Sequence, residues 1–92
     1  MRQRAKVDSN QSEIVKAFRK LGYSVVCTHQ LGKGFPDLVI GKNGINTLVE
    51  VKDGSLPPSK RRLSPDEKEF HDNWRGTVLI IESIEDVLAV KL

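Results

Sequence analysis

Two residues, Asn43 and Gly44, constrain this chain more than any others. They stand between two strand-like runs, Pro36 to Gly41 and Asn46 to Lys52. Asn-Gly in that setting is the strongest short-range hairpin signal, because a two-residue type I′ turn needs positive φ at both central positions. The turn fixes a register: Lys42 pairs with Ile45, and stepping outward pairs Ile40 with Thr47, Leu38 with Val49, and Asp37 with Glu50. Side chains alternate along a strand, so Asp37, Val39, Leu48, Glu50 and Lys52 share one face, while Leu38, Ile40, Val49 and Val51 share the other and form core. On the first face two carboxylates oppose each other at about 4.5–5.5 Å between Cβ atoms, where like charges weaken the ladder. Two readings fit. A divalent cation held between the acids resolves the conflict, or the face is solvated and Lys52 neutralises both.

Around the hairpin, Asn10-Gln11-Ser12-Glu13 has the form of a capping box, and Ile14, Phe18 and Leu21 repeat at helical spacing beside Ala17 until Gly22. Tyr23 to Thr28 alternates as a short strand that puts Cys27 on the core face with Tyr23 and Val25. Gly32-Lys33-Gly34 is a flexible stretch, and Asp53 to Leu63, with Pro57-Pro58 and a basic triplet, reads as a surface loop without regular structure. Ser64-Pro65-Asp66-Glu67 supplies an N-cap serine, a first-turn proline and a third-position glutamate for a helix running toward Trp74. Thr77 to Ile81 reads as a buried strand, and Ser83 to Leu88 as a terminal helix. The class is α/β, in the order helix, three strands, helix, strand, helix: a mixed sheet flanked by helices.

Ninety-two residues suit a single domain, 1–92, with 1–8 as a basic arm carrying Arg2, Arg4 and Lys6. A chain this short buries only a little over ~60% of its unfolded surface, so a subunit or a metal would add useful stability. A single cysteine rules out an internal disulfide and fits a reducing cytoplasm. No apolar run reaches the ~20 residues of a membrane span, and Met1-Arg2-Gln3-Arg4 leads into polar sequence rather than a signal peptide. One cysteine with His29 and His71 makes no zinc set, and Gly32-Lys33-Gly34 lacks P-loop spacing. No small-molecule cofactor is expected. The net charge of +3 is mild, but it is segregated: Lys60-Arg61-Arg62 cluster in one loop, while Asp66, Glu67, Glu69 and Asp72 mark the later helix. Lys60, Arg61, Arg62 and Lys33 are the candidate phosphate contacts, against the plainer reading of solvated charge.

Pro36-Asp37 and Glu50-Val51-Lys52 resemble the two halves of the PD-(D/E)XK nuclease signature. More closely, Gly34-Phe35-Pro36-Asp37-Leu38-Val39-Ile40-Gly41, Leu48-Val49-Glu50-Val51-Lys52-Asp53-Gly54 and Leu63-Ser64-Pro65 resemble the virus-type replication-repair nuclease domain, VRR-NUC, with a restriction-endonuclease-like core. The resemblance implies a metal-dependent DNA endonuclease. Asp37 and Glu50 would bind magnesium, or manganese in its place, with the Val51 carbonyl as a further ligand, and Lys52 would assist water attack. It also implies a glutamate near the metal on the first helix, for which Glu13 is the match and helix capping the competing explanation. The family often carries glutamine where this chain has Glu67, which suits a helix cap. Small stand-alone relatives imply a phage or prophage setting, a symmetric homodimer, and branched DNA such as Holliday junctions as substrate. A flap or nicking enzyme, or a DNA-binding module without chemistry, are the alternatives.

Overall fold

The computed structural model describes residues 7–91, so Arg2, Arg4 and Lys6 of the expected basic arm lie outside the described residues. The expected order of helices and strands is observed, with two short 3₁₀ turns added, at His29–Leu31 and Pro58–Lys60. The second falls in the loop expected to lack regular structure; Pro58 supplies its fixed φ at the turn's start.

Helix α1 (Gln11–Lys20) turns Ile14, Val15 and Phe18 inward. The capping box expected at its start is not formed. Asn10 occupies the N-cap position, but its side-chain amide donates to the carbonyls of Lys52 at 3.1 Å and Glu82 at 3.2 Å. That amide ties the helix to the chain just beyond two strands instead of closing its own first turn.

The sheet runs β1 (Ser24–Cys27), β2 (Leu38–Lys42), β3 (Ile45–Val51) and β4 (Val78–Ile81) in spatial order. β1 and β2, and β2 and β3, pair antiparallel, and β4 pairs parallel to β3 after the chain crosses over through α2 (Pro65–Asn73). The hairpin has the register the Asn-Gly turn dictates: Lys42 opposes Ile45, Ile40 opposes Thr47, and Leu38 opposes Val49. Asn43 and Gly44 take φ of 54° and 78°, as the tight turn requires.

Leu38, Ile40, Val49 and Val51 are fully buried against Ile14, Phe18 and Val87, the last from helix α3 (Ile84–Ala89). Helix α2 lies over the other face of β3, placed there by its contacts with Glu50 and Lys52. Its capping box forms as the sequence implies. The Ser64 hydroxyl accepts from the Glu67 N–H, and the Glu67 carboxylate accepts from the Ser64 N–H.

Two burial expectations are corrected. Cys27 is exposed, because β1 is an edge strand and Cys27 is its last residue. β4 is not a buried strand: it forms the opposite edge, and only Ile81 is buried while Ile80 is 46% exposed. A continuous apolar run does not distinguish a central strand from an edge strand. Among the described residues no helix is long and apolar enough to cross a membrane.

Candidate active site

Asp37 sits immediately before β2, one step beyond the Leu38–Val49 pair. Its backbone is fixed by Thr28, whose N–H donates to the Asp37 carbonyl at 2.7 Å and whose hydroxyl donates to the Pro36 carbonyl at 2.8 Å. Its side chain crosses the hairpin, where Oδ2 accepts a 2.8 Å hydrogen bond from the Val51 N–H. Val51 therefore reaches the site through its backbone amide.

Glu50 follows from strand alternation: with Val49 and Val51 in the core, its side chain points to the face beneath α2. That face is not solvated. Glu50 is 1% exposed, and among the described residues its Oε1 has no hydrogen-bond partner. The His71 Nε2 lies 3.5 Å from that oxygen and is equally unpartnered. Burial first, then the hydrogen bond and charge of Asp37, then Glu67, push the Glu50 carboxyl up to about 10. In the metal-free protein one proton is thus retained where two carboxylates meet. Burial also pulls His71 below its usual range, so at neutral pH it faces Glu50 as an uncharged ring.

Lys52 arrives on the same face, and its Nζ donates to Glu67 Oε1 at 2.8 Å. Burial works against its charge, but the hydrogen bond and charge of Glu67, followed by Glu50 and Asp8, outweigh it and raise its pKa above that of a free lysine. Lys52 is a cation here. Glu67 has two tasks, capping α2 and holding Lys52. Although burial opposes ionisation, those hydrogen bonds keep its carboxyl below the usual range.

The structure thus brings together Asp37, Glu50, Val51 and Lys52, all legible in sequence, and adds Glu67, His71 and Asp8. Glu67 and His71 are four residues apart, so they share the helix face laid over the hairpin. That spacing is the signal by which His71 was open to detection. Asp8 is raised by burial, drawn down by Lys52, and raised again by Asp37, which places it beside the same cluster.

Glu13 is not brought to this cluster. It is exposed and lines a cavity of about 570 Å³ with Asp53, Arg61, Glu82 and Asp86. The apolar stripe of α1 has two edges, and Glu13 lies on the one beside the start of α3; the buried Gln11, which meets His29 Nδ1 at 3.4 Å, occupies another part of the helix surface. Of the basic candidates, Lys33, Lys60 and Arg62 are exposed. Arg61 is committed elsewhere: it donates to Glu82 at 3.0 Å and to the Leu56 carbonyl at 2.7 Å.

Among the described residues no three His, Cys, Asp or Glu side chains form a ready-made metal cage. The two-carboxylate arrangement nonetheless fits a hard divalent cation that keeps several waters. A buried, unpartnered Glu50 oxygen beside a second carboxylate is the kind of group such an ion satisfies.

No family sequence model matches the chain, and no curated protein matches it. In structure it is similar to a solved structure described as a VRR_NUC domain, with a TM-score of 0.62 and 26% identity over 85% of this chain and 89% of that one. The resemblance carried by the sequence motifs is shared by the backbone, and this chain has a VRR_NUC-like fold.

Proposed function

We propose that this chain is a metal-dependent nuclease of the PD-(D/E)XK type that hydrolyses DNA phosphodiester bonds. The observation that carries the reading is Glu50: a carboxylate buried to 1% exposure against Asp37, with an unpartnered oxygen and Lys52 on the same face. Burying such a group costs stability, and a buried carboxyl held against a second one in this way is the mark of a group kept for chemistry. Asp37 and Glu50 would hold magnesium or manganese, with the Val51 carbonyl available as a further ligand. The ion would supply a water of lowered pKa and offset charge on the phosphate.

The chain's own residues do the rest. The charged Lys52 Nζ, held by Glu67, faces the phosphate and stabilises the charge that develops there. His71 keeps a neutral nitrogen toward Glu50 Oε1, and α2 shields that carboxylate from water. Exposed Lys60 and Arg62, with Lys33 at the loop before the site, would bind DNA through its phosphates. Glu13 lines a separate cavity, so we give it no role at the metal. A cytoplasmic setting in a bacterial or phage-infected cell, branched DNA such as Holliday junctions as the substrate, and a homodimer that presents two sites complete the proposal.

The test is a magnesium-dependent cleavage assay on linear duplex, flap and four-way-junction DNA, with protein whose oligomeric state has been measured. Asp37→Ala, Glu50→Ala and Lys52→Ala should each abolish cutting while retaining a folded far-UV spectrum. Full activity in any of the three would remove that residue from the mechanism. DNA retention without nicking by the unmodified chain would make it a binding module instead.

A further inference from the structure

Beside the site, on the next part of α2, lies an aromatic array that the proposed chemistry does not use. Phe70 and Trp74 stack with ring centroids 5.1 Å apart and planes 17° from parallel, and Phe35 packs edge-on against Phe70 at 5.3 Å. Phe70 also meets the ring of His71, which faces Glu50. The array is therefore continuous with the active site. Yet Trp74 is 45% exposed, an uncommon exposure for the largest apolar side chain in the chain.

The array is also held in place. Gly34 presses on the first turn of α2 so closely that any Cβ there would collide with the Asp66 carbonyl, which fixes the Lys33–Phe35 loop against the helix. The indole Nε1 of Trp74 lies over Gly76, where a Cβ would come within 2.8 Å of it. The result is an open cavity of about 520 Å³ lined by Lys33, Asp66, Glu69, Phe70, Asn73 and Trp74.

The chemistry of that lining selects its occupant. Inside the cavity two carboxylates outweigh one lysine, so it seats no phosphate, while the exposed Lys33 would still meet a phosphate outside it. A flat uncharged face with amino donors at its rim suits it well: stacked ring below, Asp66, Glu69 and Asn73 as acceptors beside it. A nucleobase has this form, but in an intact duplex both its faces are covered by neighbours. We propose that the Phe70–Trp74 stack is a platform for one unpaired nucleobase of the DNA strand that passes Glu50. This rests on the nuclease reading and sharpens it, because it makes DNA with an unpaired base the preferred substrate over intact duplex. Only a base already out of the stack reaches the platform without the cost of extraction.

Trp74 is the only tryptophan in the chain, so its emission reports occupancy directly. The full chain in EDTA is titrated with a single-stranded oligonucleotide, an intact duplex, and the same duplex carrying one bulged nucleotide; a fluorescein label on the DNA reports binding independently. Single-stranded and bulged DNA should quench Trp74, and intact duplex should not. Trp74→Ala should weaken binding of the bulged DNA about 5- to 150-fold more than that of intact duplex, with Trp74→Phe restoring most of the difference. Equal quenching by all three DNAs, or bulged DNA bound equally by Trp74→Ala and wild type, overturns the platform. If magnesium-dependent cutting persists in that case, the nuclease reading stands without it. Selective quenching by a chain that never cuts DNA overturns the nuclease reading and leaves the platform. Failure to bind any of the three DNAs overturns the platform, and with no magnesium-dependent cutting it overturns the nuclease reading as well.

Discussion

On one face of β3, Val49 and Val51 are fully buried among Ile14, Phe18 and Val87; on the other, Glu50 is buried as deeply beneath α2, beside Asp37, Lys52, Glu67 and His71. Burial of the first face follows the hydrophobic effect and lowers the free energy of the fold. Burial of the second opposes it, since a carboxyl removed from water beside other carboxylates must keep a proton or find a cation. The two sides of one strand therefore respond oppositely to the same treatment. Trimming the apolar side should cost stability, whereas neutralising Glu50 on the polar side should add stability and remove chemistry.

The largest effect on stability should come from the apolar side. Phe18→Ala, at a position with no exposure and an edge-on contact with Tyr23 at 5.1 Å, should cost about 3–5 kcal/mol in urea unfolding. A loss well under 1 kcal/mol would mean that α1 does not anchor this face.

Metal should act only on the polar side. Magnesium or manganese at about 100 times its dissociation constant should stabilise the wild-type chain by ~2.7 kcal/mol, read as a rise in Tm, and should do little for Asp37→Asn. An equal rise in both would place the ion elsewhere.

The pH dependence sharpens the comparison further. Glu50 has an ordinary value of 4.5 when unfolded and is pushed up to about 10 when folded. Across that window the folded state holds a proton that the unfolded state has lost, so metal-free stability should fall as pH rises from about 5 toward 10. The slope is at most ~1.4 kcal/mol per pH unit. Glu67 has the opposite sign: its carboxyl is held low, so its contribution fades as pH falls through its lowered pKa. Equilibrium unfolding in EDTA from pH 5 to pH 9 reads the first effect, and a flat profile would show that Glu50 is not the buried acid described.

The smallest effect concerns the helix that covers the site. Ser64→Ala removes the hydroxyl that accepts from Glu67 and should cost ~1 kcal/mol. Glu67→Gln keeps an acceptor for the Ser64 N–H and should cost less, while removing the charge that holds Lys52. A larger loss for the glutamine variant would show that the Lys52–Glu67 pair, not the cap, holds α2 in place.

Much of this comparison was legible in the sequence because a two-residue turn and strand alternation are local rules. Asn43-Gly44 sets the hairpin register, and the register alone assigns Val49 and Val51 to one side and Glu50 and Lys52 to the other. What the hairpin could not convey is what covers each side. Whether Glu50 is solvated or buried depends on α2, a helix that returns to it from another part of the chain. For the same reason His71 went unassigned, Cys27 was expected in the core, and Thr77 to Ile81 was expected as a buried strand. Asn10 shows the limit of motif reading: the residue is at the N-cap, but carbonyls distant in sequence claim its side chain.

The most direct test of the account is Glu50→Gln, read in two ways on one preparation. Its shape is nearly that of the native side chain, and its amide supplies the proton the buried carboxyl must otherwise retain. The metal-free variant should be more stable than wild type at pH 7, by up to about 3 kcal/mol, and should show no magnesium-dependent cleavage of DNA. A variant that is less stable than wild type, or that still cuts, would contradict the claim that Glu50 is buried for chemistry.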